Sequence, residues 1–122
     1  MIYGIGTDIT EVRRFEKWVK DSQMINRFYN EAEKCGGTVA AQCQHYAARF
    51  AAKEAFSKAL GTGLAFDLKD VFIKKNDEGK PFLMIQGTAK KLLDERCGKC
   101  NVHVSLSHEK EYAIAYVIIE KE

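Results

Sequence analysis

Arg49–Gly63, RFAAKEAFSKALGTG, is the stretch whose reading decides the fold. Alanine occupies positions 47, 48, 51, 52, 55 and 59, and alanine is the best helix former. The stretch therefore reads as the second half of one long helix. Its small side chains let a neighbouring element come close. Gly61 is the natural residue past the last turn, because it takes the left-handed conformation without steric cost. Phe50, Glu54 and Lys58 follow i, i+4, i+8 spacing and climb one face at roughly 6 Å per step. Glu54 thus sits between a large apolar residue and a lysine. An exposed Glu54–Lys58 pair would contribute only about 0.3–0.5 kcal/mol. The alternative is a carboxylate and an ammonium at the core's edge that handle a metal and a phosphate, which requires a second acid elsewhere.

Asp8 is the candidate. In MIYGIGTDIT, residues Ile2, Gly4, Gly6 and Asp8 share one face of a strand, and Tyr3, Ile5, Thr7 and Ile9 share the other. Glycine weakens a strand, so the paired glycines point to a ligand or another backbone lying close. Aspartate is disfavoured in strands. Asp8 either caps the helix that follows or projects a metal-ligating carboxylate from a strand end. EVRRFEKWVK then reads as an amphipathic helix with Val12, Phe15, Trp18 and Val19 inward. Arg13, Lys17 and Lys20 share another face, with Arg14 beside it. That face is either simply solvated or docks an acidic partner. MINRFYNEAE continues helically. Cys35-Gly36-Gly37 breaks the chain, and Thr38 caps the long helix.

Leu68–Lys75 and Lys80–Ile85 read as a hairpin around Asn76–Gly79. Thr88–Arg96 is a short helix. Asn101–Ser107 and Tyr112–Ile119 are strands joined by His108–Glu111. This order predicts one α+β domain over residues 1–122, with a largely antiparallel sheet packed on a long central helix. Its 122 residues, 46% hydrophobic and 30% charged, suffice for a core without staples. A net charge of +2 is too small to argue for nucleic acid. No apolar run has transmembrane length and no export signal is visible. The four cysteines then read as reduced thiols of a cytoplasmic chain.

Ser105–His108, SLSH, places hydroxyls and an imidazole at a strand end, suited either to phosphate oxygens or to an ordinary polar turn. No nucleophile elbow surrounds its serines. Cys97-Gly98-Lys99-Cys100 has redox or zinc spacing, but Cys35, Cys43 and His103 would have to converge on it to close a zinc site. Gly98 more simply ends a helix. No Walker loop, dinucleotide fingerprint or RNA-binding signature is present.

Three motifs in order carry a family resemblance: Gly6-Thr7-Asp8-Ile9 with Arg13 and Arg14; Arg49–Lys58 with Gly61-Thr62-Gly63; and Ser105–His108. Gly79-Lys80-Pro81 accompanies them. The chain resembles the holo-acyl-carrier-protein synthases, the small bacterial phosphopantetheinyl transferases. The resemblance covers essentially the whole chain, and Cys35–His45 is its least typical part. It implies transfer of the phosphopantetheine arm of coenzyme A to a serine of an acyl carrier protein, with adenosine 3′,5′-bisphosphate leaving, in support of fatty acid biosynthesis. It implies Asp8 and Glu54 as magnesium ligands and Lys58 as a third catalytic group reaching a phosphate oxygen. Displacement at a pyrophosphate does need neutralised oxygens, and magnesium takes few carboxylates. His108 would contact a coenzyme A phosphate, with Arg49 and Lys53 as weaker candidates. Gly61, Gly63, Ile5 and the SLSH segment would line the cleft. The acidic carrier would dock on Arg14 first, then Arg13 and Lys17. The family forms trimers with sites between subunits. Two other classes compete: a nucleic-acid module using the basic helix, and a zinc- or thiol-based regulator using Cys97 and Cys100. Neither explains the acids at positions 8 and 54.

Overall fold

In the computed structural model, which describes residues 1–122, the chain begins with strand β1 (Ile2–Glu11). A 3-10 turn (Val12–Phe15) and two short helices follow, α1 (Glu16–Val19) and α2 (Ser22–Phe28). Beyond a second 3-10 turn (Glu31–Glu33) comes the long helix α3 (Val39–Leu60). The remaining elements are a 3-10 turn (Leu68–Asp70), strands β2 (Val71–Lys75) and β3 (Pro81–Ile85), helix α4 (Gly87–Arg96), and strands β4 (Cys100–His108) and β5 (Tyr112–Lys121). Two antiparallel sheets form, β1-β5-β4 and β2-β3. The sequence suggested one sheet. The hairpin instead stands apart from β4, across a groove of about 310 Å³ lined by Lys80, Pro81, Phe82, Val102 and Val104. Pro81, the first residue of β3, has no N–H to give a ladder.

The glycines of β1 explain how the three-stranded sheet meets α3. A Cβ on Gly6 would lie 1.9 Å from the Ala55 carbonyl oxygen, and one on Gly4 the same distance from that of Ala59. What lies close to the bare strand face is therefore the backbone of α3, not a ligand. Beside β1, the inward face of β5 is built from Ala113, Ala115, Val117 and Ile119, all fully buried. Small residues on both partners let strand and helix touch backbone to backbone.

Both expected ends of α3 appear. Thr38 Oγ1 accepts from Ala41 N at 3.1 Å. Gly61 adopts φ +83° and its N–H donates to Ser57 O at 2.9 Å. The region between β1 and α3 is more broken than its periodicity suggests. β1 runs on to Glu11, and Val12 N donates to Glu111 O at 2.8 Å. This leaves a 3-10 turn and four residues of α1 where one helix was expected. Phe15 is nonetheless fully buried, which stabilises the fold by about 1.5–3 kcal/mol. The strand expected from Leu68 starts at Val71, because the Asp67 side chain accepts from Lys69 N at 3.0 Å and caps a turn there.

Candidate active site

Gly6 seats β1 on α3, and Asp8 is the next residue on the same face. Its carboxylate therefore arrives beside the helix instead of capping one. Thr10 Oγ1 donates to Asp8 Oδ2 at 2.8 Å, and Lys58 Nζ donates to Asp8 Oδ1 at 3.2 Å. Lys58 Nζ also donates to Thr7 O at 3.0 Å. Lys58 thus crosses to the strand and pairs with Asp8 instead of Glu54. Glu54, one turn earlier, is half-buried. Burial, and then the neighbouring Asp8 charge, raise its carboxyl above the ordinary value; Lys58 and Arg14 oppose them. Two carboxylates from different elements thus meet beside one ammonium.

The pair suits a hard divalent cation. Its donors are all oxygens, and a bound cation relieves both the burial of the Glu54 charge, the larger cause of its rise, and the repulsion from Asp8. No cluster of three or more His, Cys, Asp or Glu side chains joins them. Two carboxylates, with water and phosphate completing the shell, are what magnesium accepts.

His108 ends β4 and is exposed, so SLSH forms a strand end and the turn begins at Glu109. Arg49 is half-buried on α3, and its Nη1 donates to His45 O at 3.5 Å. The charges of Arg49 and His108 both act on His45, so the two predicted phosphate residues share one neighbourhood. Gly61 and Gly63, at φ +83° and +65°, lie exposed beyond α3.

Lys53 lies outside this cluster. It is fully buried, and its Nζ donates to Glu33 Oε1 at 2.7 Å, Leu68 O at 2.9 Å and Val71 O at 2.6 Å. Three acceptors exhaust an ammonium's hydrogens, leaving none for coenzyme A. The expectation that Lys53 contacts a cofactor phosphate is corrected accordingly.

The basic face is exposed at Arg13, Arg14, Lys17 and Lys20. The Arg14 guanidinium lies 5.3 Å from the Phe50 ring centroid and 5.9 Å from that of Trp18. Arg13 is paired with Glu11. Cys97 and Cys100 contact each other. Cys35 instead donates its N–H to Tyr46 Oη at 3.2 Å, and Cys43 is buried near Glu16 and Lys20. The four thiols do not converge.

The profile of the 4′-phosphopantetheinyl transferase superfamily matches residues 4–117. The holo-[acyl-carrier-protein] synthase of Treponema denticola is 48% identical over 127 aligned residues, spanning 98% of this chain and 99% of that protein. The chain belongs to the holo-acyl-carrier-protein synthases. Two solved members of the family share its fold. The synthase of Bacillus anthracis, in complex with CoA (3′,5′-ADP), is 36% identical with a TM-score of 0.81, covering 100% of this chain and 99% of its own. That of Plasmodium yoelii is 31% identical with a TM-score of 0.86, covering 100% and 97%.

Within this synthase fold, sequence reasoning missed two arrangements, the Lys53–Glu33 pair and the placement of His45. The spacing of Phe56 and Leu60, at i+3 and i+7 from Lys53, hinted at its burial but not at its partner Glu33. His45 stands one turn before Arg49 and shares its face; the i, i+4 spacing was the available signal.

Proposed function

We propose that Asp8 and Glu54 hold a magnesium ion at the site where this chain transfers 4′-phosphopantetheine from coenzyme A to a serine of apo acyl carrier protein. The convergence of the two carboxylates beside Lys58 carries this reading. In the reaction the serine oxygen bonds to the phosphorus that bears the pantetheine. The bond from that phosphorus to the bridging oxygen breaks, and adenosine 3′,5′-bisphosphate leaves. Magnesium, when bound, supplies positive charge to the pyrophosphate oxygens. Lys58, an exposed and mobile point charge, shifts from Asp8 to a phosphate oxygen. Asp8 is held in place by Thr10. Arg49 and His108 bind a coenzyme A phosphate, and Gly61 and Gly63 flank the pantetheine arm. The nucleophile belongs to the carrier, which accounts for the lack of a nucleophile elbow in this chain.

The acidic carrier docks on Arg14, with Arg13 and Lys17 around it. Arg14 lies over Phe50, one turn from Glu54, so a carrier held there presents its serine to the acidic pair. The outer face of the three-stranded sheet exposes Ile5, Ile9, Tyr112 and Tyr116. Water-facing apolar surface of this kind is covered in an assembly, and a homotrimer of residues 1–122, one domain per copy, covers it. No cavity of the single chain is lined by Asp8 or Glu54, and a neighbouring copy completes the cleft. Four free thiols suit the cytoplasm, where fatty acid biosynthesis consumes the product.

Mass spectrometry of apo carrier protein incubated with the enzyme, coenzyme A and magnesium tests the reading. The carrier gains one phosphopantetheine, and chelator, Asp8→Ala or Glu54→Ala abolishes the gain. An unmodified carrier with folded enzyme, across several carriers, would refute it. The assembly is tested by Tyr116→Asp, which yields a folded but inactive monomer; a fully active monomer contradicts the shared cleft.

A further inference from the structure

His45 sits half-buried on α3, where basic groups from three elements act on it. Its Nε2 lies 2.6 Å from the Glu33 carbonyl oxygen. A carbonyl only accepts, so Nε2 carries the proton. Nδ1 makes no hydrogen bond in the chain. Arg49 on the next turn, Lys75 at the end of β2 and His108 at the end of β4 all act electrostatically on the ring; the Arg49 guanidinium donates to the His45 carbonyl at 3.5 Å, and the Tyr46 ring packs edge-on at 5.2 Å. The one carboxylate nearby, Glu33, is engaged by Lys53 at 2.7 Å and by Asn30 N at 2.9 Å. No carboxylate forms an ion pair with Arg49, Lys75 or His108. Like charges gathered without a counter-ion make a place for an anion.

The order of groups along α3 names that anion's class. The pyrophosphate undergoing displacement belongs at Asp8, Glu54 and Lys58. Arg49 lies five residues before Glu54, about 7.5 Å along the axis. What remains of coenzyme A at that reach is its phosphate monoester, which carries nearly two charges.

We propose that His45 is a proton-linked ligand of the coenzyme A phosphate monoester: it takes up a proton when that phosphate settles among Arg49, Lys75 and His108. This rests on the assignment of Arg49 and His108 made above. Only the imidazolium can keep Nε2–H on the Glu33 carbonyl and also donate Nδ1–H to a phosphate oxygen. Burial first, and then the charges of Arg49, Lys75 and His108, hold the free ring below its ordinary value, with the Glu33 bond opposing them. The free protein therefore holds His45 neutral at pH 7. A bound dianion favours the charged ring. Affinity then rises as pH falls between the free and bound titration points of His45.

The probe is adenosine 3′,5′-bisphosphate, with adenosine 5′-monophosphate as the control lacking the second phosphate. Calorimetry near pH 7 in buffers of different ionisation heat counts protons taken up on binding. The phosphate itself also exchanges protons with the buffer, so the reading is the difference between the natural protein and His45→Gln. The glutamine amide can still donate to the Glu33 carbonyl but cannot take up a proton. The natural protein takes up more protons than the variant, by up to one per site, and binds the bisphosphate about tenfold tighter, as one charge-assisted hydrogen bond implies. Equal uptake by the two proteins overturns the role of His45 and leaves the proposed function standing. Bisphosphate binding no tighter than monophosphate binding overturns the phosphate assignment of Arg49 and His108 as well. An NMR titration of the His45 ring needs no variant. Its midpoint rises on adding bisphosphate, and a midpoint that stays or falls refutes the proposal.

Discussion

Two lysines of α3, five residues apart in KEAFSK, each meet a carboxylate from another part of the chain, and they do opposite work. Lys58 is about half exposed and reaches Asp8 at 3.2 Å with room around it. Lys53 is sealed, at 2.7 Å from Glu33, with side-chain exposures of 1% and 0%. Five residues turn a helix by roughly 140°, so the two ammoniums leave α3 on different sides. One side opens towards β1 and solvent, where a charge can exchange its partner for a substrate. The other faces the segments at 30–33 and 68–71, where every donor is committed. A salt bridge is thus structural or chemical according to whether an incoming anion can compete for it. Burial settles that; residue type does not.

The comparison breaks most severely at the sealed pair. Lys53→Met leaves Glu33 buried beside its already unpartnered Oε2 and costs about 3–5 kcal/mol of stability, read from urea midpoints. Adding Glu33→Gln removes the stranded charge and recovers part of the loss. Transferase activity per folded molecule stays near normal in both. Loss of activity in variants that remain folded would show that Lys53 takes part in the chemistry after all. At the open pair the pattern inverts. Glu54→Gln lowers the transfer rate by about 10²–10³-fold and leaves the unfolding midpoint unchanged or slightly higher, since it removes a carboxylate that sits against Asp8. A variant that unfolds instead would make Glu54 structural.

The contrast also marks how far the sequence could be read. The i, i+4, i+8 row of Phe50, Glu54 and Lys58 and the glycine-bare strand carrying Asp8 singled out the two acids that the fold places near each other. Helix periodicity and strand alternation are local, and local rules suffice there. The partner of Lys53 was not legible, because Glu33 lies 20 residues away, across the least typical part of the chain. Nor could the helix itself reveal its sides. α3 is buried almost all round, from Ala47 to Leu60, except at Arg49, Glu54 and Lys58, so no broad polar stripe told the open side from the sealed one. The separation of the β2-β3 hairpin likewise depends on long-range packing that alternation does not encode.

Acid distinguishes the pairs more gently. The folded carboxyl of Glu54 is raised above its unfolded value near 4.5. Such a group favours the folded state below that value, and the contribution is lost as pH rises through the folded titration point. Magnesium requires the ionised form, so its binding weakens as pH falls through the same point, by up to about tenfold per unit. Magnesium calorimetry at pH 5 and 7 reads this directly. In Asp8→Asn the point moves down, because one of the two causes of the rise is gone. Magnesium affinity independent of pH across that window would mean that Glu54 is not a ligand.

The smallest effects fall on the basic face, and they separate two adjacent arginines. Arg13 is paired with Glu11 and its charge is already partly spent. Arg14 has no carboxylate partner; its guanidinium is spread over the rings of Phe15, Trp18 and Phe50, so it is both oriented and available. A charge at the rim of an interface acts chiefly on association rate and its salt dependence. Arg14→Ala therefore raises KM for the carrier several-fold at low salt, by about 1 kcal/mol, with less change in kcat and a difference that shrinks as ionic strength rises. Arg13→Ala has a weaker effect, because an Arg13 held on Glu11 is less free to pair with the carrier. Initial rates at varied carrier and salt concentrations decide the order. If Arg13→Ala proves the more damaging, the carrier must displace Glu11 on docking, and the free ion pair is then a holding position of the kind Lys58 occupies on Asp8.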